Sequence, residues 1–150
     1  MSQPPIPLES LYGTWKLISE ERTVIEGDKT FKVATGEIGA GYITYGRDSR
    51  MMVMIVRALR PRPDNIAAIS DQQRIDLFGT MVAYGGTFDF DGHSMVHHID
   101  VSWNQVWTGT TQIRDVVRDG DRLVYRSRPA PNAYDGRLST VMLVWEKLAQ

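Results

Sequence analysis

The sequence predicts an all-β fold, a single antiparallel barrel of about eight to ten strands that occupies the whole chain. Three observations carry this expectation. Most of the chain alternates apolar and polar residues with a period of two, as a sheet with one buried face requires. Tight-turn signals such as Asp91-Gly92 and Asp119-Gly120 separate the alternating runs at short, regular spacing. Only one stretch changes to helical spacing. Antiparallel strands joined by tight turns must hide their edges, and closure into a barrel does so. A two-sheet sandwich without a cavity satisfies the same pattern.

Residues 1–7, with three prolines, favour an extended lead-in. They carry no basic segment followed by an apolar one, so no secretory signal is read there. The first strand starts at Trp15-Lys16-Leu17, where Ile18 breaks the alternation, and runs to Val24-Ile25 before Glu26-Gly27-Asp28. Gly41 to Tyr45 is the next clear strand, turning at Gly46-Arg47-Asp48-Ser49 into the apolar run Met51–Val56. That run is too short to cross a membrane and reads as a buried strand. The basic, proline-punctuated segment Arg57 to Pro63 reads as a solvated loop.

The helical exception follows. Ser70-Asp71-Gln72-Gln73 has the form of a capping box, and Ile75, Phe78 and Val82 recur on one helical face. A short helix near residues 70–82 is expected, as a lid packed over a sheet opening or as a moving gate. Strands then follow at Gly86–Phe90, Ser94–Ser102, Trp107–Val117, Leu123–Arg128 and Leu138–Leu148.

Composition removes whole classes of chemistry. The 150 residues contain no cysteine, which excludes disulfides, thiolate nucleophiles, zinc ribbons and iron–sulfur clusters. Seventeen basic against eighteen acidic residues leave a net charge of -1, without the basic excess of a nucleic-acid binder. No G-x-S-x-G, P-loop, dinucleotide-binding or H-E-x-x-H motif is present. A soluble, cytoplasmic protein without cofactor or metal is the expectation.

The segment Tyr12-Gly13-Thr14-Trp15 resembles the G-x-W signature that opens the first strand of lipocalins and their calycin relatives. Gly41–Tyr45, Ala83–Phe88, His97–Ser102, Trp107–Arg114 and Leu143–Lys147 extend the likeness in order over nearly the whole chain. Together they resemble the bacterial and fungal lipocalin-like domain family. The resemblance implies an up-and-down β-barrel and a small-molecule ligand; related barrels have also been recruited as cofactor-free isomerases, cyclases or hydratases. Two positions depart from the pattern. The second hairpin carries Asp48-Ser49 in place of Asp-Gly, and Lys147 stands where such barrels often place an arginine over the first-strand Trp15. A cation–π contact between Lys147 and Trp15 would close that end of the barrel.

His97-His98 is the unusual feature, because two of only three histidines fall mid-strand. Neighbours on a strand point to opposite faces, so only one can enter the barrel. Simple alternation turns the more apolar His97 face inward. A ligand pocket needs polar groups, which favours His98, and both are retained. Arg114 and Gln112 on the following strand come near them by hairpin pairing, and a buried arginine must be paired or await an anion. Tyr84 and Trp107 are natural wall residues, with Trp103, Met54 and Phe88 completing the expected pocket. If chemistry occurs, the inward histidine is the general acid/base, with Tyr84 and Arg114 stabilising a developing oxyanion. The expected partner is a small, largely apolar molecule bearing a carbonyl, phenol or carboxylate, with no nucleic acid and no membrane; homodimer formation is left open. A cofactor-free isomerase, cyclase or hydratase/dehydratase is the first alternative. A filled structural or partner-binding barrel is the second.

Overall fold

The computed structural model describes residues 3–132 and 134–149. The strands are β1 (Gly13–Glu26), β2 (Lys29–Val33), β3 (Ile38–Tyr45), β4 (Arg50–Arg57), β5 (Met81–Phe90), β6 (Ser94–Ser102), β7 (Thr111–Asp119), β8 (Arg122–Ser127), β9 (Ala130–Pro131) and β10 (Leu138–Lys147). The sheet runs β2-β1-β3-β4-β5-β6-β7-β8-β10-β9, and β1 also pairs with β10. Eight strands therefore close into an antiparallel barrel, while β2 and β9 extend it at one end. A sandwich is ruled out by that closing pair, which runs from Trp15↔Lys147 to Val24↔Ser139.

Ile18 breaks the alternation because a β-bulge lies there, between Leu17 and Ser19. A bulge inserts one residue, so the inward parity changes. Trp15 and Leu17 face in before it, and Arg22 and Val24 after it. Glu20 consequently turns inward and Glu21 outward. In β5, Gly86 faces Ile99 across another irregularity, and a Cβ there would meet the His98 carbonyl oxygen at 1.8 Å. No side chain fits at that position.

The two ends of the barrel differ. At one end the turns are tight. Trp15 is 3% exposed, its Nε1–H donates to the Leu11 carbonyl at 2.8 Å, and Lys147 Nζ lies 5.5 Å from its ring centroid. The lead-in runs across this end, where Ile6 is buried and its N–H donates to the Gly92 carbonyl at 3.0 Å. At the other end lie the β4–β5 connection with helix α1 (Asp71–Gly79), the β6–β7 connection and the β8–β10 connection. No described helix is long and apolar enough to cross a membrane.

Helix α1 is shorter than expected. Its capping box forms as predicted, with the Gln73 N–H donating to Ser70 Oγ at 3.1 Å and the Ser70 N–H to Gln73 Oε1 at 3.0 Å. It ends at Gly79 because Thr80 Oγ1 donates to the Asp76 carbonyl and Arg60 Nη2 to the Leu77 carbonyl. Val82 is taken by β5, opposite Ile55. The helix buries none of its residues, and Ile75 is 63% exposed, so the packed lid is not what forms. A lateral tether holds it instead, with Phe78 5.8 Å from the Trp103 ring and Trp103 Nε1 donating to the Phe78 carbonyl at 3.1 Å.

Candidate functional site

The open end leads into a cavity of about 110 Å³ that opens to solvent at its mouth. Its walls include Val53, Ile55, Val82, Leu143 and Trp107. Alternation on β4, β5 and β10 turns these apolar side chains inward, as a barrel interior requires. Bulky residues fill the closed half, and the interior stays open above them.

A chain of hydrogen bonds crosses the barrel at the base of the cavity. Tyr125 Oη donates to Tyr45 Oη at 2.9 Å; Tyr45 Oη lies 2.8 Å from His97 Nε2, and Tyr84 Oη lies 2.8 Å from His97 Nδ1. The four groups come from β8, β3, β6 and β5. Burial first, and the Arg114 cation second, lower the His97 pKa to about 3 and hold the ring neutral. Burial raises the Tyr84 and Tyr45 hydroxyls above the usual tyrosine range, so both stay protonated.

The proton inventory together with burial favours one direction for this chain. A neutral imidazole supplies one N–H, so four protons serve three links and one is left over. Tyr125 donates to Tyr45, and Tyr45 is buried away from the cavity, so the arrangement that leaves no buried proton without an acceptor has Tyr45 donating to Nε2 and Nδ1–H donating to Tyr84. The spare proton is the Tyr84 hydroxyl's own. Tyr84 lines the cavity, so a ligand acceptor can receive it.

Arg114 stands beside this floor on β7, opposite Met95 and Ser127. Its Nη1 donates to Gln112 Oε1 at 3.2 Å and to the Ile113 carbonyl at 3.3 Å. Among the described residues no carboxylate pairs with it. Arg57, by contrast, holds Glu20 through two bonds of 2.8 and 3.0 Å, both side chains being about nine-tenths buried, and its Nη2 also donates to Tyr134 Oη at 3.3 Å. Deeper in, Trp145 Nε1–H is buried without an acceptor.

Tyr84, Trp107, Gln112 and Arg114 line the cavity, as the sequence led us to expect, and of the two histidines it is His97 that joins them. Four other expectations fail. His98 faces outward, where its Nε2 lies 2.8 Å from Asp89 on the half-exposed outer surface. The inward preference is reversed because β6 keeps Met95, His97 and Ile99 on the core face. Met54 is 55% exposed on the outer face of β4, since Val53 and Ile55 hold the inner one. Phe88 is buried at the closed end, its ring centroid 4.8 Å from Tyr45, below the cavity. Trp103 packs behind Trp107, edge-on at 5.6 Å, and does not line the cavity.

Sequence reasoning missed Glu20, Arg57, Tyr45 and Tyr125. The Ile18 irregularity was the signal for Glu20, since a bulge there moves it inward. Arg57 was read into the solvated loop, but it is the last residue of β4 and its guanidinium turns into the mouth. Tyr45 and Tyr125 share the core parity of their strands, a signal that alternation alone contained.

Closure of eight antiparallel strands, one plugged end and one open cavity define an up-and-down β-barrel. The lipocalin-like domain family model matches residues 12–148, and the chain belongs to that family. No curated protein matches the sequence.

Proposed function

We propose that the protein binds a small, largely apolar molecule in the open half of the barrel, with a carbonyl, phenol or carboxylate oxygen held at Tyr84 and Arg114. The observation that carries this reading is the unfilled cavity whose apolar walls converge on a hydroxyl with a spare proton. Ligand pockets combine predominantly apolar lining with a few placed polar groups, and this one has that composition. Trp107 gives the ligand an aromatic wall; its ring centroid is 5.5 Å from that of Tyr84. Gln112, which accepts from Arg114, orients the guanidinium.

Binding is favoured over proton-transfer catalysis by the state of the candidate bases. His97 is neutral and engaged at both nitrogens, so it positions Tyr84 and cannot take a proton from a ligand directly. Glu20 is held bidentately by Arg57. An isomerase, cyclase or hydratase would have to exchange its proton through Tyr84, whose hydroxyl burial makes a weaker acid than usual.

Thermal-shift and native mass spectrometry against polyketides, terpenoids and aromatic acids test the reading. Ligands that raise the melting temperature of the native chain should lose at least about tenfold in affinity with Trp107→Ala, from lost aromatic contact. If no compound in the panel binds, or if binders are indifferent to Trp107→Ala and Tyr84→Phe, the proposal fails.

A further inference from the structure

The charge state of the ligand can be read from the ionisable groups around the cavity. Four charged side chains line it, namely Glu20, Arg57, Arg114 and Arg128. Glu20 and Arg57 neutralise each other, and Arg128 reaches Asp115 at 3.3 Å. His97 and the floor tyrosines are neutral. One positive charge, on Arg114, therefore faces a cavity with largely apolar walls and has no carboxylate within reach among the described residues. Removing a cation from water without a counter-ion is costly, and an incoming anion offsets that cost.

The guanidinium also specifies the shape of the anion. Both hydrogen bonds that Arg114 makes use Nη1. Among the described residues Nε and Nη2 have no partner, and neither is sealed away from solvent, since Trp145 Nε1 is the one buried side-chain donor left unsatisfied there. The free Nε and Nη2 donors form the edge that grips a carboxylate through two parallel bonds. Tyr84 adds a hydroxyl with a committed outward proton, an arrangement that suits an acceptor and offers little to a neutral donor group.

We propose that the ligand is an apolar monocarboxylate, its carboxylate bridging the free edge of Arg114 and the Tyr84 hydroxyl, and its apolar body lying against Trp107, Val82 and Leu143. This rests on the binding reading above and adds the ionic state and the head group. It also gives His97 a positioning role, since the imidazole bonded to Tyr45 and Tyr84 sets which way the Tyr84 proton points.

The test uses 2-naphthoate and its neutral counterpart 2-naphthamide as displacing probes against the apolar fluorophore N-phenyl-1-naphthylamine, with the full chain near neutral pH. Naphthoate should bind at least about tenfold more tightly than naphthamide, as expected for a charge-assisted bidentate pair. Arg114→Gln should shrink that preference to about twofold or less, because the charge-assisted pair favours the anion far more than the amide. Arg114→Lys keeps the charge without the fork and should fall between the two, which also guards against loss of fold in the Gln variant. His97→Phe should weaken naphthoate and naphthamide, whose oxygens both accept from Tyr84, more than the fluorophore, which offers no such acceptor. Equal affinity of the two probes, or a carboxylate preference that survives Arg114→Gln, overturns the inference and leaves the binding reading standing. Failure of the fluorophore itself to bind the native chain overturns both.

Discussion

The two ends of this barrel solve opposite problems with the same strands. At the closed end Trp15, Leu11 and Ile6 fill the interior, Lys147 covers Trp15 and donates to the Ser10 carbonyl at 2.8 Å, and short turns leave little free chain. At the open end the connections are long, Leu59 is 97% exposed and Ile66 85%, and the polar interior groups are tied by pairs such as Glu20–Arg57. Packed apolar volume stabilises most where it excludes water, and a cavity forgoes that contribution. The closed end therefore carries the stability that lets the open end stay unfilled. Between them the Tyr125–Tyr45–His97–Tyr84 chain forms the boundary, polar enough to meet a ligand and satisfied enough to remain buried.

Four measurements break or sharpen this contrast. The largest effect is expected at the plug, where Trp15→Ala should cost roughly 3–5 kcal/mol in denaturant unfolding with little change in ligand affinity per folded molecule. A loss below about 1 kcal/mol would mean that the closed end is not where stability resides. The boundary should show itself in acid. His97 binds a proton only near pH 3 in the folded chain, whereas the unfolded histidine does so near 6.5. The unfolded state thus holds more protons between those values. His97 contributes its full stability above about pH 6.5, and loses it progressively as the pH falls toward 3, roughly 3–4 kcal/mol in all after relaxation is discounted. Urea unfolding from pH 7 to 4 should show that slope, and His97→Phe should flatten it.

A smaller effect is expected at the mouth. Glu20→Gln leaves Arg57 without its counter-charge, and a dry pair would lose about 3–5 kcal/mol on such a change. The pair lines a cavity that opens to solvent, so a loss of about 1–3 kcal/mol is expected by thermal unfolding. A loss matching that of Trp15→Ala would erase the distinction between the ends. The smallest effect is a gain. Ser49 adopts a φ of 65° in the turn between β3 and β4, a conformation that disfavours any residue with a Cβ. Ser49→Gly should stabilise the chain by about 1 kcal/mol, measured as a rise in denaturant midpoint at constant slope.

Much of the fold was legible because the code for it is local. Alternation located the eight barrel strands, the capping box located the start of α1, and the resemblance to lipocalin-like barrels implied the Trp15–Lys147 contact. The site was legible in part. Tyr84, Trp107, Gln112 and Arg114 were found from residue type and hairpin pairing, because their strands keep a regular register. His98, Met54, Phe88 and Trp103 were misplaced for other reasons. For His98 an argument from what a pocket needs was set against the alternation, and the alternation prevailed. Met54 sits on the outer face of its strand, Phe88 faces inward but below the cavity, and Trp103 packs behind Trp107. Glu20 shows the converse, since one inserted residue at Ile18 reversed the parity of everything after it in β1.

Residue order by itself determined the class of fold, the places where the chain turns and the tools available, which are histidine, tyrosine, arginine and tryptophan in the absence of cysteine. Those properties are local, set by backbone preferences and the two-residue period of a strand. Only the tertiary structure decided which histidine is buried, that Arg57 is neutralised while Arg114 is not, and that Tyr84 stands between His97 and the cavity. Each of these depends on contacts across strands far apart in sequence, such as Tyr45 with His97 and Glu20 with Arg57. The register and bulges of the closed barrel create those contacts, and no short window of residues contains them.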